Sequence, residues 1–448
     1  MFGVANNSAT SLRGGVRGRP ESGLWRLLGP AFVASVAYVD PGNVAANLTA
    51  GAEYGYLLVW VLVASNAMAV LVQYLSAKLG LVTGRSLPEI LGGRLRTRPR
   101  LAYWVQAEVV AAATDVAEVV GGAIALSLLF DLPLVWGGVI TGAVSMALLA
   151  IQTRKGQQPF EFVIIALLTI IACGFLAGLF VSPVDWLGAA GGLTPRFEGP
   201  GTLILAASML GATVMPHAIY LHSSLSRDRH FPHFGPEGTR PVGSTEPRTL
   251  ADATPDQLER HRARLPRLLR ATKADVMWSL LIAGSVNIAM LLLAAASLRG
   301  VGGTDTIAGA HDAIVNSLGP AIGIIFAIGL LASGLASTSV GAYAGSVVMG
   351  GLIKRRVPLL ARRLLTLIPA LVVLGMGSDP TYALVLSQVV LSLGIPFALI
   401  PLVRLSSSRR IMGQYAMTAS MKAISWLVVA LIVALNIALL VITFSGSW

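Results

Sequence analysis

The sequence predicts an all-α integral membrane protein of about eleven transmembrane helices, ten of them forming two blocks of five in inverted topology. Three observations predict it. The 448 residues are 55% hydrophobic and only 12% charged, with a mean hydropathy of +0.74, too apolar for a soluble chain of this length. Many of the apolar stretches run to about 17–25 residues, the length a helix needs to cross the hydrocarbon core. A proline-broken pattern in the first stretch returns in the sixth.

Residues 1–26 form a tail with Arg13, Arg17 and Arg19 and no apolar h-region. No cleavable signal peptide is expected, and the first span serves as the anchor. The spans fall at residues 27–48, 56–79, 101–129, 134–151, 159–181, 201–225, 276–298, 318–353, 364–376, 382–403 and 423–444. The chain therefore divides into a cytoplasmic tail (1–26), a first block (27–182), an external loop (183–200), a second block (201–406) that includes a long cytoplasmic loop (227–273), and a linker with the eleventh helix (407–448). The single cysteine, Cys173, excludes an intramolecular disulfide framework and a paired-thiolate metal site, and it reads as a small core residue.

With the N-terminus cytoplasmic, the basic loops all share one side, and of 33 Lys and Arg only Arg196 and Arg299 lie opposite. The net charge of +12 and the pI near 10.3 are thus topological, and nucleic-acid binding is rejected. The first half of the 227–273 loop is polar and rich in Pro and Gly, which predicts disorder. In its second half Thr254, Pro255 and Asp256 read as the N-cap and first turn of a short helix. His230, His233 and His261 are read as parts of a solvated linker rather than a metal-collecting cluster.

The repeated pattern is "AYVDPG" at residues 37–42 and "ATVMPH" at 212–217, both Ala-x-Val-x-Pro. Span one runs outward and span six inward, so matching breaks imply inverted repeats, an architecture of many secondary transporters. Proline removes a backbone donor and Gly42 loosens the chain further. Such backbone is tolerated at membrane depth only where it is buried in protein or lines a cavity. The carbonyls of Ala37 and Ala212, freed by the prolines at half-helix C-terminal ends, favour a cation.

Asp40 costs on the order of 2.5–3.5 kcal/mol at a helix centre, which points to an ion facing it. Asn43 adds a hard oxygen three residues on, and Met215, at the position of Asp40 in the second break, adds a thioether. Mg²⁺ and Ca²⁺ prefer oxygen shells, whereas Mn²⁺, Fe²⁺ and softer ions such as Cd²⁺ can use sulfur, so the mixed set reads as selective for transition metals. Gln388 in span ten is placed to complete the oxygen shell in one conformation. On span three Glu108, Asp115 and Glu118 share one helical face, and their mutual repulsion points to proton exchange, with Arg362 and Arg363 at the end of span nine as neutralising partners. His217 is a candidate proton acceptor and His222 is expected near the cytoplasmic mouth. Asn66 and Asn287 read as interhelical hydrogen-bonders.

At these residues the chain resembles the Nramp family of proton-coupled divalent metal transporters, of the bacterial manganese type. The likeness rests on "DPGN" at 40–43, "ATDVAEVVGGAIAL" at 113–126, "GATVMPHAIYLHSSL" at 211–225, "GLLASGLASTSVGAYAG" at 329–345 and "LSQVVLSLGIPFALIPL" at 386–402. It implies a LeuT-like fold with helices one and six unwound at the midplane. It further implies metal binding by Asp40, Asn43, Met215 and the carbonyls of Ala37 and Ala212, with Gln388 joining in some states, and proton movement by Asp115, Glu118 and His217. The expected function is secondary active import of Mn²⁺, with Fe²⁺ and Cd²⁺ also accepted, accompanied by protons, by alternating access across a bacterial plasma membrane. No cofactor is expected and a monomer should suffice, with the C-terminus external. A sodium-coupled amino-acid symporter on the same fold is the alternative. An enzyme is not expected, since no H-E-x-x-H motif or second catalytic aspartate is present.

Overall fold

A computed structural model describes residues 29–155, 157–230, 255–304, 306–353, 359–377 and 379–445. The N-terminal tail, His233, Thr254 and most of the first half of the 227–273 loop lie outside the described residues, as does the side chain of His230. The first span is broken: α1 (Pro30–Val36) leads through a 3-10 turn over Ala37–Val39 into α2 (Pro41–Tyr54). There follow α3 (Val59–Thr83), the short α4 (Leu87–Arg94), α5 (Thr97–Phe130), α6 (Leu134–Lys155), α7 (Gln157–Val181) and the six-residue α8 (Trp186–Gly191). The second block opens with another broken pair, α9 (Pro200–Thr213) and α10 (Pro216–His230), and continues through α11 (Pro255–Ser297), α12 (Ile307–Leu318), α13 (Pro320–Ile353), α14 (Leu359–Gly375) and α15 (Pro380–Ser407). A short α16 (Arg409–Met412) precedes α17 (Ala419–Ser445).

Among the described residues nine helices are long and apolar enough to cross a membrane. The broken α1/α2 pair and α14, with 17 residues, account for the other two expected spans. The expected short helix at Pro255 is not separate: α11 runs unbroken for 43 residues, through Pro266. Leu265, Leu268 and Leu269 pack on Leu81, continuing an apolar stripe that holds the helix together, while Pro266 sits on its exposed side. His261 is correspondingly buried, with Nε2 3.1 Å from Leu81 O, and is not part of a solvated linker. Cys173 is exposed rather than core, because an apolar run in a membrane helix includes the face turned to lipid.

The two broken pairs lie together at the centre, α1 beside α10 and α2 beside α9. Around them α5 and α13 pack along each other at close range. Gly334 permits that approach, since a methyl there would stand 3.0 Å from Glu118 O and Gly122 N. The eleventh span, α17, packs from outside on α15, α9 and α3.

Candidate metal site

The first break follows from its sequence. Pro41 cannot donate to Ala37 O and begins α2, while Asp40, extended at φ −82° and ψ 167°, caps the new helix. Its Oδ1 accepts from Asn43 N at 2.8 Å. Two carbonyls left over in the turn are taken by side chains from the second block. Asn287 Nδ2 of α11 donates to Tyr38 O at 2.8 Å, and Ser333 Oγ of α13 donates to Val39 O at 2.5 Å. Asn287 thus fulfils its expected role as an interhelical bonder. Ser333 was not singled out from sequence, although a serine in an apolar helix opposite a broken one is the signal that would find it.

In the second break Val214 leaves helical geometry at φ −107° and ψ 66°, and Met215 precedes Pro216, the first residue of α10. Proline here frees Ala212 O, and Asn43 Nδ2 donates to it at 2.8 Å while also donating to Asp40 Oδ1 at 2.9 Å. One amide therefore joins the two breaks. From α15, Gln388 Nε2 donates to Asp40 Oδ2 at 3.0 Å. A methyl on Gly42 would run into the Gln388 side chain, so only glycine leaves the amide room to reach Asp40.

The structure thus brings Asp40, Asn43, Ala212 and Gln388 into one hydrogen-bonded group, all buried. Met215 is fully enclosed in the same break as Ala212, and Ala37 is buried in the 3-10 turn that leads to Asp40. Asn43 Oδ1 and Gln388 Oε1 are buried acceptors with no donor. Oxygens of that kind, around a single carboxylate, suit a cation better than any neutral solute. Among the described residues no three His, Cys, Asp or Glu side chains gather as a metal centre. One charge with several neutral oxygens would hold a divalent ion without locking it in, since affinity rises with ligand charge.

The acids of α5 sort into paired and unpaired. Glu108 Oε2 meets Arg362 Nη2 at 2.8 Å, and Trp104 Nε1 donates to Glu108 Oε1 at 3.2 Å. Asp115 Oδ1 meets Arg363 Nη1 at 2.8 Å, in a pair that is almost wholly enclosed, and Arg363 Nε donates to Ser145 Oγ at 3.0 Å. Glu118 has no ion-pair partner among the described residues; it lies beside Thr338 and Gly341 and within electrostatic range of Asp115, Arg363 and Asp40. His217 Nδ1 is 3.4 Å from Thr114 Oγ1 of α5, and its Nε2 has no hydrogen-bond partner among the described residues. His222 is not at a cytoplasmic mouth but fully buried, with Nδ1 2.7 Å from Gln73 Oε1, while Gln73 Nε2 donates to the Tyr38 hydroxyl. The helix places it one and a half turns from His217, still inside the bundle.

The sequence and the fold resemble those of known proteins. The family model Nramp, natural resistance-associated macrophage protein-like, matches residues 31–442. The chain is 55% identical over 423 residues to the divalent metal cation transporter MntH of Mycobacterium tuberculosis, covering 94% of this chain and 92% of that protein. A crystal structure of the Eremococcus coleocola manganese transporter, in complex with an aromatic bis-isothiourea substituted compound, superposes with a TM-score of 0.78 at 29% identity, over 97% of this chain and 91% of that one. A structure of MhsT with L-phenylalanine reaches 0.56 at 16% identity, over 93% and 98%, a likeness of fold alone.

Proposed function

The chain belongs to the Nramp family, and on that premise we propose that it imports divalent transition metals, Mn²⁺ first, with Fe²⁺ and Cd²⁺ also accepted, through the Asp40 site. It is a membrane transporter of divalent metal cations and not an enzyme, and the metal is its substrate. Its fold is LeuT-like. The observation that carries the reading of the site is the buried Asp40 carboxylate set between two helix breaks with two donorless amide oxygens beside it. A cation arriving there would take the carboxylate, the oxygens of Asn43 and Gln388, the carbonyls of Ala37 and Ala212, and the Met215 sulfur, exchanging its water shell for them.

Protons accompany the metal on this reading. Asp40 and the unpaired Glu118 lie within electrostatic range of each other, and Asp115 with Arg363, then Glu108 with Arg362, continue the charged stripe along α5. A cation bound at Asp40 would drive a proton onto or out along that stripe, with His217 as a further acceptor beside Thr114. The segregation of the basic loops supports an orientation with the N-terminus on the cytoplasmic side of a bacterial plasma membrane and the C-terminus outside. An amino-acid symporter is disfavoured, because the helix N-terminus that would receive a substrate carboxylate already holds Asp40 as its cap.

The test is Mn²⁺ uptake into proteoliposomes holding the purified full chain, with and without a large excess of Mg²⁺ and Ca²⁺. Uptake that survives the competition is the expected result. Uptake lost to either ion would mean that the Met215 sulfur does not set selectivity.

A further inference from the structure

Helix α15 carries two prolines in its interior, Pro396 and Pro401. Each lacks the N–H that would bond the carbonyl four residues earlier, so Ser392 O and Phe397 O lose their partners within the helix. At membrane depth such groups must be met by another helix. Both are. Tyr220 of α10 donates its hydroxyl to Phe397 O at 3.3 Å. Asn436 of α17 donates Nδ2 to Ser392 O at 2.8 Å, and Ser392 Oγ donates back to Asn436 Oδ1 at 2.6 Å. The second tie is reciprocal and buried on both sides.

Ser392 stands one turn from Gln388 on the same face of α15. Both back onto α9: a methyl on Gly211 would lie 2.5 Å from Gln388 O and 2.9 Å from Ser392 Cβ. Gly211 directly precedes Ala212, whose carbonyl belongs to the site. The turn of α15 that carries Gln388 is therefore fixed on one side by α9 and on the other by the amide of Asn436. A helix weakened by proline just beyond that turn would otherwise be free to swing there.

We propose that Asn436 is a positioning residue for Gln388. By capping the carbonyl that Pro396 frees, the eleventh helix, which belongs to neither repeat, holds the Gln388 amide in reach of Asp40 and so tunes metal affinity. This rests on the reading of Gln388 as a ligand. A purely structural anchor for α17 would lower the amount of folded protein without touching affinity through Gln388.

The experiment is a double-mutant cycle on KM and Vmax for Mn²⁺ uptake by the full chain in proteoliposomes, using Asn436→Leu, Gln388→Ala and both together. Asn436→Leu and Gln388→Ala should each raise KM by about threefold or more with Vmax within about twofold, and the double variant should be no worse than Gln388→Ala alone. Multiplying effects in the double variant, or an Asn436→Leu change confined to Vmax, would overturn the positioning role and leave the ligand reading standing. An unchanged KM in Gln388→Ala would overturn both. If Asn436→Leu does not reach the membrane, Pro396→Ala in the same chain returns an N–H to Ser392 O. Recovery of assembly with near-normal KM then supports the proposal, and continued loss overturns it.

Discussion

Asp40 carries two duties on one carboxylate: Oδ1 closes the N-terminus of α2, and Oδ2 meets Gln388. Truncation to alanine would confuse them, but asparagine caps a helix about as well as aspartate, and its NH2 group can donate to the partnerless Gln388 Oε1 once that amide turns over, so the chief loss is the charge. Asp40→Asn should therefore keep its thermal unfolding midpoint while losing Mn²⁺ affinity by on the order of a hundredfold or more, given about 4 kcal/mol between unit charges 4 Å apart at a dielectric of 20. Calorimetric titration of the purified variant checks this, and near-normal affinity would remove Asp40 from the site. Met215 acts by softness rather than charge. Met215→Ala should retain Mn²⁺ uptake and newly admit ⁴⁵Ca²⁺, because a water can replace the sulfur; continued exclusion of Ca²⁺ would show that selectivity lies elsewhere. Most of this site was legible in the sequence, since hydrocarbon penalises an acid, an amide and two prolines in apolar runs unless they face a polar cavity. The bond from Asn43 to Ala212 O was not, because it joins residues 169 apart whose register only the packed breaks define.

At the scale of elements, α14 pairs with α5 through a buried pair of opposite charges. Arg363 is fully enclosed against Asp115. Removing one partner of such a pair leaves the other buried alone, which costs about 3–5 kcal/mol. Arg363→Met should lower the thermal midpoint of the detergent-solubilised chain clearly, and adding Asp115→Asn should restore much of it; a midpoint unmoved by Arg363→Met would show that the pair contributes little. The acids and arginines were both visible in the sequence, but not which acid takes which arginine, nor that Glu118 would be left out. Helix ends were legible only where polar residues interrupt apolar ones. Thus α12 does not stand out as a separate helix in the sequence, and α11 reads as a short loop helix opening at Pro255 and a separate span from residue 276, because charges on one face hide the stripe of Leu265, Leu268 and Leu269 on the other.

Across the whole molecule, the segregation of all but two of the 33 basic residues supports the proposed orientation of the helices, including the two half-helix breaks, with respect to the membrane voltage. A divalent ion moving inward gains about 4.6 kcal/mol per 100 mV, twice the value for a single charge. Mn²⁺ uptake should accordingly accelerate when an inside-negative potential is set with potassium and valinomycin. Equal uptake at zero and at about 100 mV would indicate that compensating charge leaves with each turnover. The number and order of the spans were readable because hydrocarbon permits so few solutions, whereas the choice of carbonyl partners was not.

That choice has one more effect. The nitrogen of Asn43 that spans the two breaks rests on Asp40 Oδ1 and Ala212 O, the same oxygens a metal would claim. If the metal binds as proposed, that amide stands in for the cargo in its absence. A carrier must turn back without its passenger, and an unshielded carboxylate at mid-membrane would make that return leg the slow one. With that amide in the seat, the proposed return without metal would carry a central carboxylate that is still charged but solvated by the protein's own N–H groups.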